Sequence, residues 1–356
     1  MVWTRNPGYF DKEHPFVDQM DWPIITEYAA GLAQFKVGQT FDYAVSQEDI
    51  LITHRDTPAL DLYMNPQITT PNFRWFWGFK DSPKSQFRDV RLRQAFALAQ
   101  DRELWIDTFF NVSAFQNEGL PVSTGLATAM QPDHKGWWMD PRDSEFGETA
   151  MFYQRDIAEA KKLIAAAGYP NGIDVDSYWI TTGNYGRDLN KWTEAIFGMA
   201  LDAGINVATH SVNFAAEWRP NYTLARGNFE GLSNIQDSGP ADLGAYLFSH
   251  YHPNGALFMG FSHDGKSTFA GDPYLTDLCQ KLRREFDSES RIAMAKDLQR
   301  YEAKMQYYPR YPGGSTSFRL AWPALRNYQV FLSESAEGMI AAERFHWIDP
   351  TRAPLG

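Results

Sequence analysis

The sequence predicts an α/β fold whose sheet is largely parallel. Strand and helix patterns alternate along one stretch in the order strand 173–180, helix 188–203, strand 205–212, helix 214–225 and strand 229–235. Parallel strands need a crossover connection of a dozen or more residues, which a helix supplies, so this alternation is typical of an α/β lobe. Gly204 directly follows the first helix pattern and is expected to end it, and Gly227 comes shortly after the second. At 356 residues, the length favours two domains.

Capping residues predict helices in the rest of the chain. Asp89 and Asp101 each precede an apolar run of helical period, so each carboxylate is expected to accept N–H groups of the first turn. Asp156 and Glu159 have the spacing of a capping box, in which each side chain accepts a hydrogen bond from the other residue's backbone N–H. Gly168 is expected to end that helix. Periodic patterns predict further helices over 24–41, 273–287 and 290–307.

Composition excludes several classes of protein. The net charge is −11 at pH 7, so the chain offers no basic stripe for nucleic acid or an anionic membrane. Cys279 is the single cysteine, which excludes an internal disulfide, and its helical context predicts a buried thiol. No apolar run reaches the length that spans a bilayer. Residues 1–7 lack the charged-then-apolar layout of a signal peptide, which taken alone indicates a cytoplasmic protein.

Two longer motifs resemble those of a known family. The first matches at Phe87, Asp89, Arg91, Arg93, Ala95, Ala99, Asp101 and Arg102. The second matches at Asp156, Ala160, Lys161, Leu163, Ala167, Gly168, Tyr169, Pro170 and Gly172. Together with shorter matches in the same order over residues 5–330, they resemble the bacterial extracellular solute-binding proteins of family 5. These are the dipeptide, oligopeptide and nickel binders of ABC importers. Gln100, where the family has isoleucine, is a small departure.

The resemblance implies a two-lobed periplasmic-binding-protein fold of type II, with an incomplete first lobe. Residues 1–75 are expected to be a remnant of lobe I, 76–312 the whole of lobe II, and 313–356 the return to lobe I. The chain would then be the carboxyl-terminal portion of a longer protein, because family members begin with an export signal and a large part of lobe I. The expected location is periplasmic or extracellular and membrane-associated, against the indication from residues 1–7.

The function that the resemblance implies is solute capture for import. A peptide-like solute is expected to bind in the cleft between the lobes, and the closed form to deliver it to the membrane permease of an ABC importer. No cofactor, metal, catalytic residue or nucleic acid is expected, and the protein is expected to be a monomer. An oligosaccharide is the alternative ligand within the family, since aromatic residues, at 15% of the chain, supply stacking surfaces.

Ligand contacts are expected at the carboxyl ends of the parallel strands. The loops that follow these strands are 181–186, 213–218 and 233–237. Their candidate contacts are Asn184, Tyr185, Trp218, Gln236 and Asp237. In peptide-binding relatives an aspartate in the third loop pairs with the α-ammonium group of the peptide. Here alignment on Pro240 puts Gln236 at that place, so either a one-residue shift brings in Asp237 or Gln236 selects a neutral ligand.

Trp75 and Trp77 are two further candidates. They lie in a strand pattern over 67–80 whose two faces are both partly apolar. In the family the matching strand crosses between the lobes, which makes both indoles candidates for the cleft wall. Burial in a core is the other interpretation of the same pattern, and the sequence leaves both open.

An enzyme is the alternative from another class, for instance a secreted glycoside hydrolase with aromatic subsites. Asp174 and Asp176 alternate with apolar residues on a strand and are expected on its solvated face rather than as a catalytic pair. Residues 260–265 miss the glycine pattern of a nucleophile elbow by one position. The third alternative is a metal site formed by His250, His252 and His263.

Overall fold

The computed structural model describes residues 1–79, 85–180, 183–237, 239–261, 270–328 and 343–356. The described helices are α1 Tyr28–Lys36, α2 Ile50–Asp56, α3 Val90–Ala99, α4 Arg102–Phe110, α5 Val112–Asn117, α6 Ile157–Ala166, α7 Leu189–Asp202, α8 Leu243–Tyr251, α9 Pro273–Arg284 and α10 Ser288–Met305. The described strands are β1 Val2–Thr4, β2 Gln19–Asp21, β3 Asp61–Thr69, β4 Phe73–Trp77, β5 Thr124–Leu126, β6 Ile173–Trp179, β7 Ile205–Ser211, β8 Leu232–Gln236, β9 Gly313–Ala321, β10 Leu325–Arg326 and β11 Trp347–Ile348.

The chain divides into two compact units. Unit 1 consists of Met1–Ile68, Phe109–Ser123 and Ser315–Gly356, and unit 2 of Thr69–Thr108 and Thr124–Gly314. The chain therefore passes from one unit to the other four times. Relative to the lobes expected from the sequence, this division moves residues 69–75 and 313–314 into unit 2 and residues 109–123 into unit 1.

Unit 2 is built on a four-stranded sheet with the order β4-β8-β6-β7. Strand β6 runs parallel to both β7 and β8, as the alternation of strands and helices predicts. Strand β4 is antiparallel to β8, with Phe73 opposite Gln236 at one end of the pair. The carboxyl ends of β6, β7 and β8 therefore meet the amino end of β4 at the same edge of the sheet. We call this edge the strand-end edge.

Residues of β6 alternate between a buried face and a more exposed face, which is the pattern of a strand that packs one face on the core. Ile173 and Val175 are buried on one face, with Ser177 and Trp179 following at the same period of two. Asp174 lies on the opposite, solvated face, where its carboxylate accepts a hydrogen bond from Asn206 at 2.8 Å. The prediction that Asp174 lies on the solvated face is confirmed, and its hydrogen bond to Asn206 links β6 to β7 on that face.

The caps of unit 2 form with one difference from the prediction. The side chain of Asp89 accepts a hydrogen bond from the backbone N–H of Arg91 at 2.9 Å and begins α3. Asp156 begins α6 in the same way, accepting from the N–H of Glu159 at 2.8 Å. The return bond of a capping box does not form, because Glu159 pairs with Lys162 and the Asp156 N–H donates to a carbonyl elsewhere. Half of the predicted capping box is therefore present.

The helix that the sequence predicts near the start of unit 1 is shorter in the structure. Helix α1 covers Tyr28–Lys36, whereas the periodic pattern extends over 24–41. A cluster of buried apolar side chains forms the core of the unit, consisting of Phe35, Val45, Ile50, Leu60, Phe115, Phe318, Leu320 and Trp322. Strands β3 and β9 belong to a three-stranded sheet with the order β3-β9-β5, while β1–β2 and β10–β11 are two-stranded ribbons. Among the described residues, no helix combines the length and the apolar character needed to span a bilayer.

Candidate functional site

Four aromatic side chains lie together at the strand-end edge of unit 2. They are Phe73, Tyr185, Phe214 and Trp218, and we call them the aromatic shelf. The rings of Tyr185 and Phe214 meet edge to face at 5.8 Å between centroids, and Trp218 meets Tyr185 in the same way at 5.7 Å. Phe214 and Trp218 stack at 5.4 Å, and Phe73 contacts Tyr185 at 5.5 Å. The structure thus brings together the ends of three strands.

Local hydrogen bonds hold the shelf in place. Asn213 begins the helical segment Phe214–Thr223, which is of π type, by accepting hydrogen bonds from two backbone N–H groups of its first turn. The indole N–H of Trp218 donates to the hydroxyl of Ser233 on β8 at 3.0 Å. Because Trp218 is buried, it supports the shelf from beneath rather than facing solvent. Tyr185 and Phe214 are half-buried and form the accessible part.

Polar groups border the accessible rings. Asn184 is exposed in the short turn Gly183–Tyr185, and Gln236 is exposed at the carboxyl end of β8. Burial raises the pKa of the Tyr185 hydroxyl to about 12, although nearby Arg219 opposes the shift. The phenol is therefore neutral at physiological pH and can donate a hydrogen bond. Residues 181 and 182 of the first predicted loop lie outside the described residues.

Asp237 does not face the strand-end edge, contrary to the expectation that a loop shift would bring it to a ligand. Its side chain is 1% exposed. One carboxylate oxygen lies 2.5 Å from a guanidinium nitrogen of Arg310 and accepts from the Tyr246 hydroxyl at 2.9 Å. The other lies 3.3 Å from Nε of Arg74 and also bonds His250. A ligand ammonium would have to displace a buried cation to reach this carboxylate.

The groups around Asp237 form a buried ion network, which we call the Asp237 cluster: Arg74, Asp237, Tyr246, His250 and Arg310. Burial by itself would raise the pKa of Asp237, but His250 and the two guanidinium groups outweigh it and hold the pKa well below its usual value. Arg74 also donates to the carbonyl of Leu257 at 2.6 Å and lies over the ring of Tyr308. The cluster ties β4 and the end of β8 to α8 and to the segment between α10 and β9.

The histidines of the sequence-predicted metal site are engaged in other contacts. Nδ1 of His250 lies 2.7 Å from the carbonyl of Tyr246, and its Nε2 bonds Asp237. Nε2 of His252 lies 3.0 Å from the side-chain amide of Gln280. His263 lies outside the described residues, as does most of the 260–265 motif. Within the described part of the chain, no group of three His, Cys, Asp or Glu side chains is arranged to hold a metal ion.

Trp75 and Trp77 lie in the core of unit 2, so the alternative of a cleft wall is wrong for both. All five residues of β4 are buried. The indole of Trp75 stacks on the ring of Tyr311, with 5.3 Å between centroids and 9° between planes. Trp77 stacks on Phe87 at 4.4 Å and donates its N–H to the carbonyl of Gln306 at 2.7 Å. Trp77 is therefore satisfied inside the unit, whereas Trp75 packs there with its indole N–H buried and without a hydrogen-bond partner among the described residues.

Sequence reasoning missed Phe73 and Phe214 in the shelf and Arg74, Tyr246 and Arg310 in the cluster. A signal for Arg74 exists, because it is a lone charge between aromatic residues in a strand with two apolar faces, and such a charge requires a buried partner. Phe214 directly follows the Asn213 cap and so falls within a loop already predicted to bind ligand. The identity of the partners could not be read from local sequence.

The chain has two α/β units. In unit 2 an open and largely parallel sheet places aromatic and polar groups where its strands end. These features define a protein of the periplasmic-binding-protein class. The fold is similar to that of the agropinic-acid complex of AgaA from A. tumefaciens R10, with a TM-score of 0.71 and 18% identity over 98% of this chain and 64% of the other. It is also similar to DppA from Helicobacter pylori in complex with the peptide STSA, with a TM-score of 0.68 and 15% identity over 98% and 60% of the two chains. The predicted α/β periplasmic-binding-protein fold is confirmed, while the incompleteness of the first lobe stays a prediction.

The family follows from the sequence match. The model described as bacterial extracellular solute-binding proteins, family 5 Middle, matches residues 1–256, and the chain belongs to this family. A probable ABC transporter-binding protein from Deinococcus radiodurans is 23% identical over 349 residues, which is 90% of this chain and 54% of the relative. The chain thus spans about half the length of that relative.

Proposed function

We propose that this chain belongs to the solute-binding component of an ABC importer and binds a peptide-like solute at the strand-end edge of unit 2. Family membership sets the class of function. The observation that carries the location is the aromatic shelf, with its two half-buried rings and a polar border where three strands end. The solute is released unchanged to a membrane permease. The location is periplasmic or extracellular.

The chemistry of the edge suits a peptide without requiring a free amino group. Tyr185 and Phe214 offer apolar surface to side chains or to the flat faces of amide groups. The neutral phenol of Tyr185 and the exposed amides of Asn184 and Gln236 can donate and accept hydrogen bonds. Since the carboxylate of Asp237 is enclosed by cations, Gln236 takes the place next to the ligand. A peptide with an acetylated amino end should bind about as well as a free one.

Thermal shift and native mass spectrometry test this proposal directly. The probes are a set of tri- to pentapeptides with free or acetylated amino ends, and a set of oligosaccharides. A peptide of either kind should raise the melting temperature and be recovered intact. Consumption of a peptide or oligosaccharide would favour the enzyme, a shift with sugars alone would favour the oligosaccharide binder, and no shift with any probe would contradict solute capture by this chain.

A pair of tyrosine variants locates the site. Tyr185→Ala removes an accessible ring of the shelf and should weaken binding about tenfold, which corresponds to roughly 1.4 kcal/mol. Tyr274→Ala is the control, because Tyr274 is an exposed tyrosine on α9 of the same unit, away from the strand-end edge. Equal loss of affinity in both variants would place the ligand elsewhere.

A further inference from the structure

Glu302 on α10 is a buried carboxyl group that belongs neither to the strand-end edge nor to the Asp237 cluster. The residue is 3% exposed. Its Oε1 accepts a hydrogen bond from the backbone N–H of Tyr308 at 2.6 Å. Its Oε2 is also buried, but this atom has no hydrogen-bond partner among the described residues. A carboxyl oxygen that is removed from water without a partner costs free energy, so its surroundings require an explanation.

Arg310, in the segment between α10 and β9, is bonded in the same incomplete way. The residue is 5% exposed. Its Nη2 binds the carboxylate of Asp237 and donates to the hydroxyl of Tyr246. Its Nε and Nη1 are buried and have no hydrogen-bond partner in the described part of the chain. Because the nitrogens of a guanidinium group only donate, these two atoms require an acceptor.

Glu302 and Arg310 line the same internal space, which we call the Glu302 cavity. Its volume is about 10 Å³, and Arg102 and Tyr153 are also part of its lining. Although both side chains reach this space, Oε2 of Glu302 and the two unpartnered nitrogens of Arg310 do not bond each other. A polar cavity needs roughly 10–15 Å³ to hold one water molecule. The cavity therefore has the size of a single water molecule and lies between an oxygen and a guanidinium group that both need a partner.

The chemistry of the lining favours water over an ion. The guanidinium groups of Arg102 and Arg310 repel a cation. A halide ion is larger than a water molecule and can only accept hydrogen bonds. Water can accept from an N–H of Arg310 while it donates to an ionised Glu302 or accepts from a protonated one. Burial raises the pKa of Glu302 to about 8, so both forms occur near neutral pH, and water serves both.

We propose that one internal water molecule occupies the Glu302 cavity and bonds both Glu302 and Arg310. Glu302 then becomes part of the Asp237 cluster. The hydrogen-bonded path runs from the backbone N–H of Tyr308 through Glu302, the water and Arg310 to the carboxylate of Asp237. Buried waters of this kind make about three hydrogen bonds and are costly to remove. The water thus links α10 to the network that joins β4, β8 and α8, independently of any solute.

Crystallography of the wild-type chain tests the site directly. At a resolution that shows ordered water, one peak should lie within hydrogen-bond distance, roughly 2.7–3.2 Å, of Oε2 of Glu302 and of Nε or Nη1 of Arg310. A second crystal soaked in sodium bromide should show no anomalous signal at that position, which distinguishes water from an anion. Neither measurement needs a solute, so both remain decisive if solute capture fails.

Two variants of Glu302 give an independent measurement in solution. Oxygen-17 relaxation dispersion counts the water molecules that stay inside a protein for longer than the protein takes to tumble. Glu302→Leu places no polar atom at the cavity and should lower this count by one. Glu302→Gln is the matched control, because its amide keeps an oxygen for the Tyr308 N–H and a polar group at the cavity, and it should keep the wild-type count. If Glu302→Leu does not fold, the wild-type crystal structure decides.

Four results would overturn the proposal. The first is a map that shows other buried waters but no peak between Glu302 and Arg310. The second is a bromide signal at this position, which would make the cavity an anion site. The third is a direct bond between the two side chains in the crystal. The fourth is an equal count of long-lived waters in the wild type and in Glu302→Leu.

Discussion

The two units place the same kinds of residue in opposite surroundings. In unit 2, Trp75 and Trp77 are completely buried and stack on other aromatic rings. In unit 1, Trp3 and Trp22 lie on the surface and line a groove. Tryptophan has a large apolar surface, and burying it contributes strongly to the energetics of a core. The difference shows that unit 2 buries its large apolar side chains internally, whereas unit 1 exposes part of its apolar surface.

Charged groups show the same difference. Unit 2 encloses Asp237 with two guanidinium groups, each less than 6% exposed. Unit 1 pairs Lys36 with Asp56 at 2.9 Å, and both partners remain in contact with solvent. A buried pair of charges is tolerated only where the surrounding structure fixes its geometry and supplies hydrogen bonds. Unit 2 therefore depends on buried charge pairs that unit 1 does not show among its described residues, and the following substitutions measure how this difference affects the stability of each unit.

The largest effect is expected for Trp75→Ala. It removes a fully buried indole that stacks on Tyr311 and leaves a cavity in the core, which should lower the free energy of unfolding of unit 2 by about 3–5 kcal/mol. Trp3→Ala in unit 1 is the matched change and should stay within about 0.5 kcal/mol. Urea denaturation followed by near-ultraviolet circular dichroism measures both. Equal losses would show that Trp3 also belongs to a packed core.

Asp237→Asn should follow closely. The amide keeps the size of the side chain but leaves the guanidinium groups of Arg74 and Arg310 buried without their carboxylate, which should cost about 3 kcal/mol. Asp56→Asn in unit 1 is the control, and its exposed pair with Lys36 should leave the denaturation midpoint unchanged. A neutral result for Asp237→Asn would mean that the cluster is accessible to water, which would restore the carboxylate as a ligand contact.

The pH dependence of stability should come from Glu302. Burial raises its pKa to about 8, so folded unit 2 holds a proton on Glu302 that the unfolded chain releases above its ordinary value of 4.5. Its contribution is therefore greatest below pH 4.5 and is lost as the pH rises to 8, by at most about 1.4 kcal/mol per pH unit. Glu302→Gln should flatten this slope between pH 5 and 8. Glu289→Gln, at an exposed position on the same helix, should keep the wild-type profile.

The smallest effect separates two helix starts. Asp89 accepts a backbone N–H at the beginning of α3, and Asp89→Ala should cost unit 2 about 1 kcal/mol. Glu27 occupies the corresponding position before α1 in unit 1 but makes no capping bond, so Glu27→Ala should change stability very little. Thermal denaturation of both variants gives the comparison. A similar loss of stability for Glu27→Ala would indicate that the Glu27 side chain stabilises the start of α1 although it makes no capping bond in the structure.

Local pattern was enough to predict most of unit 2. Strand β6 follows the predicted alternation to within one residue, and Asp89 caps α3 as predicted, because both depend on neighbours in sequence. Both faces of β4 are buried, so its sequence pattern could not show which face lies in a core. For this reason the sequence left a place in the cleft wall as one interpretation for Trp75. The role of Asp237 depends on Arg74, 163 positions earlier, and no local pattern carries that contact.

The candidate site was predicted in outline. The principle that ligands bind beyond the carboxyl ends of parallel strands located the loops, and the structure brings Tyr185 and Trp218 together there. The principle could not predict that Trp218 is buried beneath Phe214. It also could not predict that Gln236 is exposed while Asp237, the next residue, is buried. Consecutive side chains of a strand point to opposite faces, so a shift of one residue exchanges exposed and buried positions. The exact register is therefore needed to distinguish a ligand contact from a core residue.

The discontinuous course of unit 1 sets the order in which the protein can fold during synthesis. The side-chain amide of Gln47 bonds the carbonyl of Phe318, 271 residues later, and the core of the unit includes Phe35 together with Leu320. At a synthesis rate of roughly 5–20 residues per second, about 15–50 s pass before these partners coexist outside the ribosome. The early segment of unit 1 therefore lacks these partners throughout that interval, while most of unit 2 is still being made.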